Sequence, residues 1–187
     1  MKTSLRALFA GLAVVAMAAA GCIITSAQIF THFDLPNPFI IDNTTNPFER
    51  IVVDLNTVSE YADNKDKLKG LTDVAFGGKF TNLSGPAGGV EVWMTRDVTN
   101  YATPGQITSS AIKLWGAETI GASGTAEGTR TLTWDESSAL FNTPGRDALV
   151  EETKGDGTFT IYTLGTAGSY RIQVDSGTLL LTLDAGQ

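Results

Sequence analysis

The chain has 187 residues, with 13 Lys+Arg against 20 Asp+Glu, a formal charge of −7, 42% hydrophobic and 18% charged residues. That composition belongs to a globular domain and excludes a disordered tail, a polytopic membrane protein and a collagen-like rod. One Cys excludes an internal disulfide or a cysteine-rich metal site, and one His excludes the multi-histidine zinc motifs.

The N-terminus reads as a targeting segment. Lys2 and Arg6 supply positive charge, and Ala7–Ala20 is apolar apart from Gly11. The stretch is shorter than the roughly 20 residues of a bilayer span, and no second apolar run follows it. It ends in Ala19-Ala20-Gly21-Cys22. These four residues resemble the lipobox of bacterial lipoproteins, with Ala19 where that family most often has Leu. The resemblance covers residues 1–22 only. It implies lipidation of the Cys22 thiol and cleavage before it, leaving Cys22 as the mature N-terminus. Ile23 follows, where an Asp resembles an inner-membrane retention signal, so the implied destination in a Gram-negative cell is the outer membrane. Ala18-Ala19-Ala20 also fits an A-x-A site, the alternative being ordinary secretion. On the lipoprotein reading, 1–21 is the signal peptide, 22–28 a lipidated N-terminus and short linker, and 29–187 one domain. Loss of Lys2 and Arg6 takes the basic count from 13 to 11 against 20 acids, a charge of −9. Such a surface repels phosphate backbones, which argues against nucleic acid as a partner. It also leaves the acyl chains to hold the membrane unaided.

The remaining chain alternates in character over short segments separated by turn residues, the pattern of β-strands. Expected strands in order are 29–35, 39–42, 50–55, 74–81, 89–95, 111–118, 129–134, 158–164, 169–175 and 178–184. Pro36 and Pro38 separate the first two, since proline cannot donate to a ladder. Gly77-Gly78 suggests a bulge. Val90, Val92 and Met94 share one phase with Glu91 and Trp93 on the other, and Trp115 opposes Ile112 and Leu114. Phe159 and Ile161 oppose Tyr162 and Leu164. Ser176-Gly177 reads as a two-residue turn joining the last two strands.

Helical signals are few. Thr57-Val58-Ser59-Glu60 fits a capping box opening a helix over 57–70 that Gly70 ends. Thr143 and Pro144 fit the start of a second over 144–153, and 135–142 fits a further turn or two. The expected fold is mainly β: a two-sheet antiparallel β-sandwich with two short connecting helices. The segments 57–82, with SEYADNKDKLKGLTDVAFGGKFTN, and 147–184 are similar to a loose group of uncharacterised secreted β-sandwich lipoproteins of bacteria. That resemblance brings no activity with it.

No catalytic signature assembles. His32 shares a strand face with Phe30 and Asp34, and a His beside a carboxylate is the raw material of a general base. The plainer reading is a surface histidine, because no nucleophile motif accompanies it and there is no Gly-x-Ser-x-Gly elbow. Asp63-Asn64-Lys65-Asp66 and Gly155-Asp156-Gly157 lack EF-hand spacing and read as a solvated helix face and a turn, so no metal or other cofactor is expected. Glu118, Asp135-Glu136 and Glu151-Glu152 are the carboxylates from which a glycosidase pair would be drawn, but solvated charge accounts for nearly all of them. The glycine-rich stretches 85–89 and 121–128 lack P-loop and dinucleotide spacing. Trp93 and Trp115 are the candidate binding surface: exposed, they stack on a glycan or a partner's apolar side chains; covered, they are core. The expected function is therefore non-catalytic, a lipid-anchored envelope protein that binds a partner or has a structural role. The alternatives are an envelope glycan hydrolase using paired carboxylates and a carrier of an apolar ligand in a cavity of a few hundred Å³.

Overall fold

The computed structural model describes residues 26–36 and 38–186. Two antiparallel sheets pack face to face, as the strand pattern predicts. The strands are β1 (Ser26–Asp34), β2 (Phe39–Asp42), β3 (Phe48–Asp54), β4 (Leu68–Ser84), β5 (Gly88–Thr95), β6 (Ile112–Ile120), β7 (Thr129–Leu132), β8 (Thr158–Gly165) and β9 (Arg171–Gly186). One sheet runs β1-β9-β4-β7, with β2 also on β9; the other runs β3-β8-β5-β6.

β9 organises the first sheet. Its 16 residues pair with β4 along one edge and with β1 and then β2 along the other. The expected turn at Ser176-Gly177 is therefore absent, and the strand runs straight through it. Turn-forming residues are overruled because both neighbours supply ladder partners there: Gly78 lies opposite Gly177, and the Leu35 amide donates to the Gly177 carbonyl at 2.9 Å. The irregularity comes one step later. Ser176 opposes Lys79 while Val174 opposes Phe80, which leaves Asp175 as the extra, bulged residue. Pro36 and Pro38 interrupt the other edge, so β1 stops opposite Thr178 and β2 resumes opposite Val174.

The core lies between the sheets. Val74, Phe76, Phe80, Leu179, Leu181 and Leu183 of the first sheet meet Val53, Val90, Val92, Met94, Phe159 and Ile161 of the second. Its aromatic centre is Phe76, which stacks on Phe141 at 5.3 Å and meets Trp115 edge-on at 5.9 Å, while Phe80 stacks on Trp115 at 6.4 Å. Each such pair adds about 0.5–1.5 kcal/mol beyond area burial.

Among the described residues four helices connect the strands, where two are expected: α1 (Ser59–Ala62), α2 (Pro104–Ser110), α3 (Trp134–Ser138) and α4 (Thr143–Lys154). The long helix expected over 57–70 shrinks to α1 flanked by 3-10 turns at Leu55–Thr57 and Lys65–Lys67. Few apolar residues share a face in that segment. Tyr61 is buried and donates from its hydroxyl to the Thr153 carbonyl, whereas Leu68 serves as the first residue of β4, opposite Ala185. Thr57 is not a cap; Asp54 caps the preceding turn by accepting from the Asn56 amide. Trp134 leaves the strand assigned to it and opens α3, because Thr133 and Glu136 form a capping box there. α4 matches expectation with its cap one residue earlier, at Asn142. Its Gly145 lies against β6: a Cβ there would stand 2.7 Å from the Leu114 Cα.

Candidate functional site

Trp115 is core, not surface, with 1% of it exposed. Simple alternation from Ile112 and Leu114 points it outward. In β6, however, Trp115 opposes Val92 and Lys113 opposes Trp93, which leaves Leu114 as an extra residue. That bulge shifts the phase by one, so Leu114 and Trp115 both face inward. The indole Nε1 donates to the Ser137 carbonyl at 3.0 Å, which satisfies its one polar atom inside the core.

Trp93 keeps its outward phase and is half-buried. It lies on the outer face of the second sheet, which is not bare. The chain between β5 and β6 folds back across that face, carries α2, and drives Ile107 down onto Tyr162 and Leu164. All three are buried, which explains why β8 is apolar on both sides. Trp93, Phe48, Tyr101 and Ala111 pack around them as a second, smaller apolar cluster. Tyr162 also anchors the excursion by polar contacts: its hydroxyl donates to the Thr99 carbonyl at 2.6 Å and lies 3.2 Å from the Tyr101 amide. Thr103 caps α2, with Pro104 in its first turn. Those two residues were a legible helix start that the strand-based reading passes over.

The polar groups of Trp93 are engaged too. Its Nε1 donates to Glu91 Oε2 at 2.9 Å, Lys113 Nζ lies 3.0 Å from the same oxygen, and the ammonium stands 5.8 Å from the indole centroid. Trp93, Glu91 and Lys113 thus form a neutralised, partly exposed group at the rim of the small cluster, suited to contact rather than to chemistry.

The other candidates separate widely. His32 is exposed on β1, opposite Leu180, with Phe30 and Asp34 on the same face. A cleft of about 360 Å³ brings it near Asp34, Ser59 and Glu60. Hydrogen bonds from the Glu60 amide and the Ser59 hydroxyl hold the Glu60 carboxyl below its ordinary range. An ionised carboxylate of that kind is no proton donor at neutral pH. Among the described residues no group of three or more His, Cys, Asp or Glu converges as a metal site. Asp63 and Asp66 are exposed, and Gly155-Asp156-Gly157 is a turn in which Asp156 accepts from the Thr158 amide.

Of the acidic candidates, Glu118 and Glu136 do come together, but on a shared cation. Arg130 donates to Glu118 at 2.8 Å and to Glu136 at 2.9 Å. Hydrogen bonds from Thr133 and then Arg130 pull Glu136 down to about 2. Glu151 pairs with Arg96. Glu152 shifts the other way: burial raises its pKa first, then Asp156, with Asp97 and Glu151 adding to this and Arg96 opposing it. Asp135 is exposed in the first turn of α3. Between the sheets, the apolar gap lined by Phe76, Phe80, Val92, Trp115 and Thr163 measures about 20 Å³. That is room for about one water molecule, far below a ligand cavity.

No family model matches the chain, and no curated protein matches it. A solved structure titled Desmodium yellow mottle tymovirus aligns with 87% of this chain and 89% of its own, at 11% identity and a TM-score of 0.31. Cys22 lies outside the described residues.

Proposed function

We infer that this is a lipid-anchored protein of the bacterial envelope, on the outer membrane in a Gram-negative cell, with a non-catalytic binding or structural role. The observation that carries the reading is Ala19-Ala20-Gly21-Cys22, with the chain's single Cys at the one position where lipidation needs it. The fold is compatible with processing there, since β1 begins at Ser26, after the cleavage point. The surface group of Trp93, Glu91 and Lys113 is the contact point the reading assigns to a partner. The carrier alternative finds no support in an interior gap of about 20 Å³. The hydrolase alternative finds little in carboxylates that, Glu152 excepted, are ion-paired, held ionised or exposed.

Mass spectrometry of the mature N-terminus tests this reading. The expected species begins at an acylated Cys22, and Cys22→Ser abolishes membrane fractionation. An unmodified fragment beginning at Gly21 in the soluble fraction overturns it.

A further inference from the structure

Phe30 is the most exposed large apolar side chain among the described residues, at 69%. It stands on the outer face of the first sheet, opposite Thr182, with His32 next along that face, opposite Leu180. Beside it lies a hollow of about 110 Å³ lined by Phe30, His32, Leu180 and Trp134, in which His32 is the one titratable side chain. Trp134 comes from α3, its Nε1 already donating to Asp73 at 2.7 Å, so the indole offers apolar surface. Leaving a phenylalanine in water forgoes the stabilisation that full burial of its ring brings.

The sequence supplies a neighbour for this patch. Cys22 lies four positions before Ser26, so the connecting chain spans at most about 14 Å when fully extended. Phe30 follows about 13 Å along β1. The strand that carries the exposed phenyl is therefore the strand tied to the proposed anchor. An upright posture would instead stand the sandwich on the end where the turns after β3 meet the α4–β8 loop. There Asp54, Glu152 and Asp156 lie close around Tyr61, whose pKa burial raises first and these carboxylates raise further, with Lys65 held beside them through Asn56. Asn56 Nδ2 donates to the Asp54 carboxylate and to the Asp156 main-chain carbonyl, and Lys65 Nζ donates to Asn56 Oδ1. An acidic end is repelled by anionic headgroups.

We propose that the lipidated protein lies on the bilayer through the outer face of its first sheet, with Phe30 inserted at the headgroup–acyl boundary and Trp134 beside it. This rests on the lipid-anchor reading and adds an orientation to it. An apolar wedge supplements acyl chains that receive no polybasic assistance, and aromatic rings favour that depth. The second sheet, with Trp93 and the α2 excursion, then faces away from the membrane toward soluble partners.

The test uses the lipidated chain in phosphatidylethanolamine–phosphatidylglycerol vesicles, with Phe30→Cys or Val98→Cys as the one thiol left free. Val98 is 57% exposed on the excursion over the second sheet, so it serves as the control. An environment-sensitive fluorophore at position 30 shifts to the blue on vesicle binding and is quenched by brominated acyl chains, while the same label at 98 is unchanged. Vesicle-bound protein whose two labels behave alike overturns the orientation and leaves the anchor standing. Failure to co-float, with Cys22 unmodified, overturns both. Concentration-dependent burial of the label at 30 in vesicle-free Cys22→Ser protein assigns the patch to a second copy and also overturns it.

Discussion

The two sheets share one core, yet their outer faces are finished in opposite ways. Over the second sheet, residues 96–111 fold back and bury Ile107, Tyr162 and Leu164 as a separate apolar cluster. On the first sheet, α3 lies beside β4, where the Phe76 amide donates to Ser137 Oγ at 2.7 Å, while Phe30 stays in water. An apolar residue at the outward phase of a strand thus means two things in one molecule. Where a chain excursion covers it, it is core; where none does, it stays exposed to solvent.

The two tryptophans flanking this boundary give the sharpest break. Trp115→Ala should cost about 3–5 kcal/mol, since it empties the aromatic centre and orphans the Ser137 carbonyl. Trp93→Ala, at the rim, should cost less than half as much. Urea denaturation of both variants checks the difference, and equal losses would show that Trp93 is as much core as Trp115. Next in size, Ile107→Ala should cost about 2–4 kcal/mol. If the excursion is a roof distinct from the main core, hydrogen exchange will rise at Tyr101 and Ala111 while the β4–β9 ladder stays protected. Exchange rising equally in both would merge the two cores.

The smallest effect is acid sensitivity at α3. Burial alone would raise the Asp73 carboxyl, but hydrogen bonds from Ser138, Trp134 and the Val74 amide, with Arg146 near by, bring it below its ordinary 3.8. Glu136, in the capping box, falls from 4.5 to about 2. Both are carboxylates with depressed folded-state values. Their stabilisation is complete above the ordinary values and is lost as pH falls through the folded ones. The urea midpoint should therefore drop between pH 5 and 2, by less in Asp73→Asn than in the parent. An unchanged slope in that variant would remove Asp73 from the account.

Much of the fold was legible along the chain. β2 matches its expected limits, β5 and β8 differ by one residue, and Val90, Val92 and Met94 face inward as their alternation predicts. The failures share a cause. Ser176-Gly177 has turn composition and Thr57–Gly70 has helical punctuation; pairing to a distant strand overrode the first and took Leu68 and Gly70 from the second. Of the candidate surface, Trp93 was placed on the correct side and Trp115 was not. A bulge inserts one residue without leaving a composition signal, so alternation counted from Ile112 loses its phase.

Local chemistry settled what depends on neighbours in sequence: the run of β-strands and the α4 start. Those features rest on period-2 patterning and capping residues, all written within a few positions of each other. Tertiary structure alone decided that β9 runs unbroken, that Trp115 is core, and that Ile107 closes one outer face while Phe30 is left bare on the other. These outcomes depend on which distant segment lies across a strand, and that is set by packing between residues far apart in the chain.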